Sequence, residues 1–360
     1  MTELLFDRGG AVAAEGSDAG VAAHYGNPFA EQRALAAGEA VVAVARGVIT
    51  ITGEDRLLWL HNLTSQSLRM LQPGDSAETL LLSQTGRIEH VIRVIDDGVS
   101  LWLLVEPTEA EALLAWLDSM RFMMRVEVSD RTPEFAVVGT LGSPPVDPAA
   151  PNDVPLVWHD PWREPVAGGH QYATVIEHPA SEWAYREFLI ERTRVSALVE
   201  VPVAGILALE ALRIAAWRPR FTTEVDDKAI PHEFDWMRSS VHLSKGCYRG
   251  QETVAKVHNL GHPPRRLVML HLDGSDSALP DRGAEVRLGE KVVGQVTSVA
   301  QHFELGPIAL ALVKRMTATD AALTVAAEGI AIAAAQEVIV PTDAGMVAPR
   351  PKLGLLPPRT

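Results

Sequence analysis

The spacing of apolar positions along this chain switches repeatedly between period two and period three to four, and each switch predicts a change of element. From Ala40 to Thr52 the run AVVAVARGVITIT is apolar and β-branched, broken only at Arg46-Gly47, which predicts two short strands or one bent strand. Leu57, Leu60 and Leu63 then share a helical face, with Thr52 and Asp55 as its capping box. Leu80 to Ser83, Ile88 to Ile95 and Val99 to Val105 predict an antiparallel meander turned at Thr85-Gly86 and Asp97-Gly98. Thr108 and Glu111 cap a second helix through Leu113, Leu114 and Leu117. Arg125 to Val128 and Phe135 to Val138 follow as strands.

In the second half, Tyr172 to Ile176 predicts a strand and Ser181 to Arg192 a helix anchored by Trp183 and Phe188. Leu207 to Trp217 predicts another helix, which Pro219 stops. Beyond His262-Pro263-Pro264-Arg265, short apolar stretches separated by Gly turns suit a small β-barrel. Glu328, Gln336 and Glu337 make Ala321 to Val340 too polar for a membrane span, so it is expected as strands. Sheets and helices in a non-βαβ order predict the α+β class. The expected divisions are a loose leader over 1–38 with room for one short helix, a first lobe over 39–135 and a second over 136–225. A segment over 226–262 and a barrel over 263–360 complete them, with 142–169 an exposed proline-rich insertion or hinge.

Composition narrows the function classes. A formal net charge of -14 argues against nucleic acid or an anionic membrane as partner. One cysteine excludes an intrachain disulfide and points to a reducing compartment; with an amino terminus unlike a secretory signal, the expected location is cytoplasmic. It also excludes an iron–sulfur cluster held by this chain's cysteines alone, which takes about four thiolates.

That cysteine, Cys247, stands in the octapeptide KGCYRGQE. Lys245 and Arg249 beside a thiol favour its thiolate, and Gly246 and Gly250 permit a tight turn and close approach of a bound molecule. The residues alone also allow a buried, inert cysteine. His258 and His262 are four apart behind the octapeptide, but Gly261 and Pro263 argue against a helix there, so both are expected as loop residues and no metal site is expected.

KGCYRGQE resembles the signature octapeptide of the YgfZ family, folate-binding proteins involved in making or maintaining iron–sulfur enzymes. LHNLTSQ, LSQTGRIEHVIRV, ALEALRIAAWRP and the last hundred residues are similar, in order, to segments of the aminomethyltransferases, whose fold that family shares. The resemblance covers the chain from about Ala40 onward. It implies three lobes around a central opening that takes a tetrahydrofolate, with iron–sulfur client or assembly proteins as partners.

Carried over residue by residue, the resemblance implies working roles for Cys247, Lys245 and Arg249, and folate contacts from Glu89, Asn62, Thr64, Arg213, Tyr248, Gln251 and Glu252. Glu89-His90 stands where aminomethyltransferases carry two aspartates, and strand geometry lets only one of the pair line the pocket. Two departures count against aminomethyl transfer. Ala215 replaces the acid of the arginine-bearing helix motif, and the Arg-Gly-Tyr-Thr-Gly segment expected between Val166 and Ile176 is not found. The competing readings are a folate-dependent aminomethyltransferase or demethylase-like enzyme, and a scaffold that docks a partner through the octapeptide.

Overall fold

The computed structural model describes residues 8–275, 278–327 and 329–348; Glu328 and the ends of the expected leader and barrel divisions lie outside the described residues. In the described part of the leader, residues 8–38, the one short helix is present and a hairpin precedes it. Strands β1 (Val12–Ala13) and β2 (Ala22–His24) make a hairpin, and α1 (Pro28–Ala36) starts at Asn27, whose Oδ1 accepts from Ala30 N.

AVVAVARGVITIT forms two strands, β3 (Val41–Val44) and β4 (Gly47–Thr52), which join different sheets. Thr52 therefore ends a strand and caps nothing; α2 (Arg56–Leu63) begins after Asp55, which makes no capping bond and instead pairs with Arg125. The meander stands as β5 (Ser76–Leu82), β6 (Ile88–Asp96) and β7 (Ser100–Val105), all antiparallel. Helix α3 (Pro107–Ser119) opens two residues earlier than the Thr108 cap implies, through a capping box of Glu106 and Glu109. Strand β8 (Glu127–Asp130) completes an antiparallel sheet in the order β5-β6-β7-β4-β8.

The second sheet takes β9 (Phe135–Thr140), β10 (Val157–His159), β11 (Arg186–Glu191) and β12 (Val203–Ala204) in the order β10-β11-β9-β3-β12, with β12 parallel to β3. Two expectations fail here. Residues 172–176 are irregular, and the helix over 181–192 is a short 3-10 turn followed by β11, whose Glu187 and Leu189 face one side and Phe188 and Ile190 the other. Nor is the proline-rich stretch simply exposed, since Leu156, Trp158 and Trp162 are fully buried.

Helices α4 (Ile206–Ala215), α5 (Phe221–Glu224) and α6 (Gln251–Leu260) lead to the barrel. Its strands are β13 (Arg265–Leu272), β14 (Glu285–Leu288), β15 (Lys291–His302), β16 (Gly306–Lys314), β17 (Leu323–Ala327) and β18 (Ile330–Val338). They close in the order β13-β16-β15-β14-β17-β18. The largest apolar core lies between the two sheets, where Leu80, Val91 and Leu104 meet Val42, Val137 and Leu189. No helix among the described residues is long and apolar enough to cross a membrane.

Candidate functional site

The octapeptide leaves a segment already tied to the first sheet. Ser65 Oγ donates to Ser240 O at 2.6 Å, and His242 N donates to Ser65 O at 3.0 Å. Lys245 then turns inward. Its ammonium donates to the carbonyls of His61 (2.5 Å), Thr64 (2.6 Å) and Gln66 (2.8 Å), spending all three of its N–H groups at the carboxyl end of α2. It also lies 5.2 Å from the centre of the buried Tyr248 ring, and burial draws the amine down to about 7.

Arg249 is engaged as well. It pairs with Glu89 at 2.5 Å and lies 5.8 Å over the Trp116 ring. Gly250, at φ 83°, turns the chain into α6, and a Cβ there would stand 2.5 Å from Ser83 O. Gln251 Nε2 reaches back to Lys245 O at 3.5 Å, while Glu252 is exposed in the first turn. Between these anchors Cys247 is exposed. The structure thus brings Lys245, Cys247, Tyr248, Arg249, Gln251 and Glu89 together, with both cations turned to partners other than the thiol.

Neither Glu89 nor His90 is among the residues that line the cavity between the two sheets. Glu89 faces Arg249, while His90 Nδ1 lies 3.0 Å from Glu109 and its ring stacks on Phe221. Asn62 is exposed on α2, and the Thr64 hydroxyl donates to Leu60 O at 2.8 Å. Of the expected folate contacts, only Arg213 lines the cavity between the sheets.

That cavity measures about 30 Å³, the share of about one water molecule, and Arg46, Arg93, Glu210, Arg213, Arg218 and Arg220 line it. Arg46 pairs with Glu106 (2.9 Å) and Glu187 (2.7 Å), and Arg218 pairs with Glu78 and Asp160. Arg213 meets Glu210, Glu224, Thr223, Ser298 and the Arg218 carbonyl, which leaves no free donor for a ligand. Burial pushes the Glu187 carboxyl up, but Arg46 and Arg93 outweigh it and hold it at about 2. A pterin needs a pocket of about 300 Å³ or more, so these walls do not fit one in this arrangement. A larger cavity of about 580 Å³ adjoins through Val44 and Arg46 and is also lined by Val21, Thr132 and Phe135.

Sequence reading missed this charged layer because Glu78, Arg93 and Glu187 sit in strands, where isolated charges read as solvent-facing. The signal available was Arg218 and Arg220 around Pro219, beside a tryptophan. Of the two spaced histidines, His258 does lie on α6; it is buried and bonded to the Tyr172 hydroxyl at 2.9 Å. His262 lies past the helix end and bonds Ala344 O.

Residues 265–341 match the glycine cleavage T-protein C-terminal barrel domain. The chain is 26% identical over 319 residues to a putative chloroplastic transferase of Arabidopsis thaliana, covering 81% of this chain and 70% of that one. It is 27% identical over 291 residues to an aminomethyltransferase of a Nostoc species, covering 74% of each. A mitochondrial iron–sulfur cluster assembly factor homolog of Mycosarcoma maydis is 24% identical over 246 residues, 62% of this chain and 55% of that one. In structure, the glycine cleavage system aminomethyltransferase T of Bartonella henselae superposes with a TM-score of 0.71 at 16% identity, covering 94% of this chain and 96% of that chain. The chain thus has the aminomethyltransferase fold, with residues 265–341 forming a barrel that matches the T-protein C-terminal domain.

Proposed function

We propose that this protein assists the assembly or repair of iron–sulfur enzymes, with the KGCYRGQE loop as its working surface and Cys247 as the reactive group. One observation carries the reading: the loop's two cations are anchored, Lys245 on three carbonyls and Arg249 on Glu89, while Cys247 stays exposed. A rigid loop that presents one thiol suits contact with a second protein. A thiolate there supplies one ligand of a cluster whose remaining ligands come from the client, since this chain has a single cysteine. Similarity to an iron–sulfur cluster assembly factor homolog supports the reading. The reading needs no folate in the space of about 30 Å³ beside Arg213, whose walls do not fit a pterin in this arrangement.

The test is reactivation of a purified, oxidatively damaged iron–sulfur enzyme with iron, sulfide and a thiol reductant. Wild type is expected to accelerate recovery and Cys247→Ala to leave it at the rate without protein. Equal acceleration by both would contradict the role given to the thiol.

Aminomethyl transfer is the second reading, favoured by the Nostoc relative's alignment over 74% of the chain. Glu89, the carboxylate expected to assist it, is instead held by Arg249 outside the cavity. A glycine-derived aminomethyl transfer assay is expected to show no turnover above background.

A further inference from the structure

We infer that the central cavity of this chain is sealed by its own charged side chains, with an N-terminal hairpin as part of the seal, and does not admit a tetrahydrofolate. The inference is independent of Cys247 and uses a different part of the molecule.

The first argument is the nature of the walls. Arg46, Arg213, Arg218 and Arg220 are each at least nine-tenths buried, and each meets two or more carboxylates. Widening a space of about 30 Å³ to admit a pterin would pull these pairs apart. Separated charges left in a poorly solvated interior are strongly disfavoured, so the side chains do not swing aside as surface arginines do.

The second argument is where one carboxylate comes from. Asp18 belongs to the turn between β1 and β2, yet it grips Arg220 with both oxygens, at 2.9 Å and 2.7 Å. A guanidinium fork at a cavity wall is suited to a ligand carboxylate, and here the chain fills that fork from within. The hairpin is fitted closely to the helix that carries Arg213. A Cβ on Gly205, at the start of α4, would stand 2.1 Å from Ala23 O. What the cavity can still take is small: the buried donors Arg93 Nε, 3.6 Å from Glu187 Oε1, and Arg218 Nη1 make no hydrogen bond among the described residues, and one water-sized oxygen suits such donors.

The experiment titrates the full-length protein with 5-formyltetrahydrofolate by calorimetry and maps amide hydrogen exchange with the ligand present. The expected result is no saturable heat up to about 1 mM. Saturable binding with protection at residues 185–187 and 206–220 would overturn the inference. Binding with protection confined elsewhere, as at 19–21 and 130–137 around the larger cavity, leaves the central seal standing and supports it. A second arm tests the hairpin: Asp18→Ala is expected to speed exchange about tenfold or more over 12–24 and 206–212, and unchanged exchange would refute its part in the seal. The reactivation assay on Cys247 is blind to all of these outcomes, so the two readings fail separately.

Discussion

At the scale of the residue, adjacency in sequence misled about Lys245 and Arg249. Both flank Cys247 within two positions, which suggests electrostatic neighbours of a thiolate, but one reaches α2 and the other β6. No pattern of types in an irregular loop shows where a long side chain turns. The consequence is a sharp split in stability. Lys245→Met leaves three carbonyls without their donor and is expected to lower unfolding free energy by about 3 kcal/mol in a urea titration. Cys247→Ser, at an exposed thiol, is expected to change it by no more than about 0.5 kcal/mol. Comparable losses in the two variants would contradict the anchoring described here.

At the scale of the element, two glycines let the β5–β6 turn meet the start of α6. Gly86 lies at φ 75° against Thr253, and Gly250 at φ 83° against Ser83. Gly250→Ala combines a left-handed backbone with a close contact and is expected to cost about 2 kcal/mol or more. Gly246→Ala meets nothing within 4 Å and is expected to be near neutral when both variants are compared by urea unfolding. The meander, the 206–215 helix and the barrel were legible because each apolar run there is bounded by a turn or breaker, such as Thr85-Gly86, Asp97-Gly98 and Pro219. The stretch before Arg192 was not. In Trp183-Ala-Tyr-Arg-Glu-Phe-Leu-Ile the buried Glu187 occupies an inward strand position, so a charge stands where alternation should show an apolar residue.

At the scale of the whole molecule, buried charge dominates the response to mutation and pH. Arg218→Met strands Glu78 and Asp160 and is expected to destabilise by about 3–5 kcal/mol, read by urea unfolding. This layer joins strands far apart in sequence, which is why single-stretch patterns did not reveal it. Titration pulls in two directions. Burial lowers His61 and His258 to about 4, below their unfolded value near 6.5. Their contribution is therefore present above about pH 6.5 and is lost as pH falls towards 4. Burial raises Asp235 from 3.8 to about 7, so its contribution is present below about pH 4 and is lost as pH rises through 7. Asp235→Asn should thus gain melting temperature relative to wild type as pH goes from 5 to 8, and a constant difference would contradict that assignment.

The reading of the whole protein rests on a fixed loop that offers one thiol to an iron–sulfur client. Its most direct test is made in cells lacking this protein, supplied with wild type or Cys247→Ser at equal abundance. The ratio of an iron–sulfur enzyme's activity to that of a metal-free enzyme is then measured. Wild type is expected to restore the ratio and Cys247→Ser to leave it at the level of the empty vector. Full restoration by Cys247→Ser would contradict it.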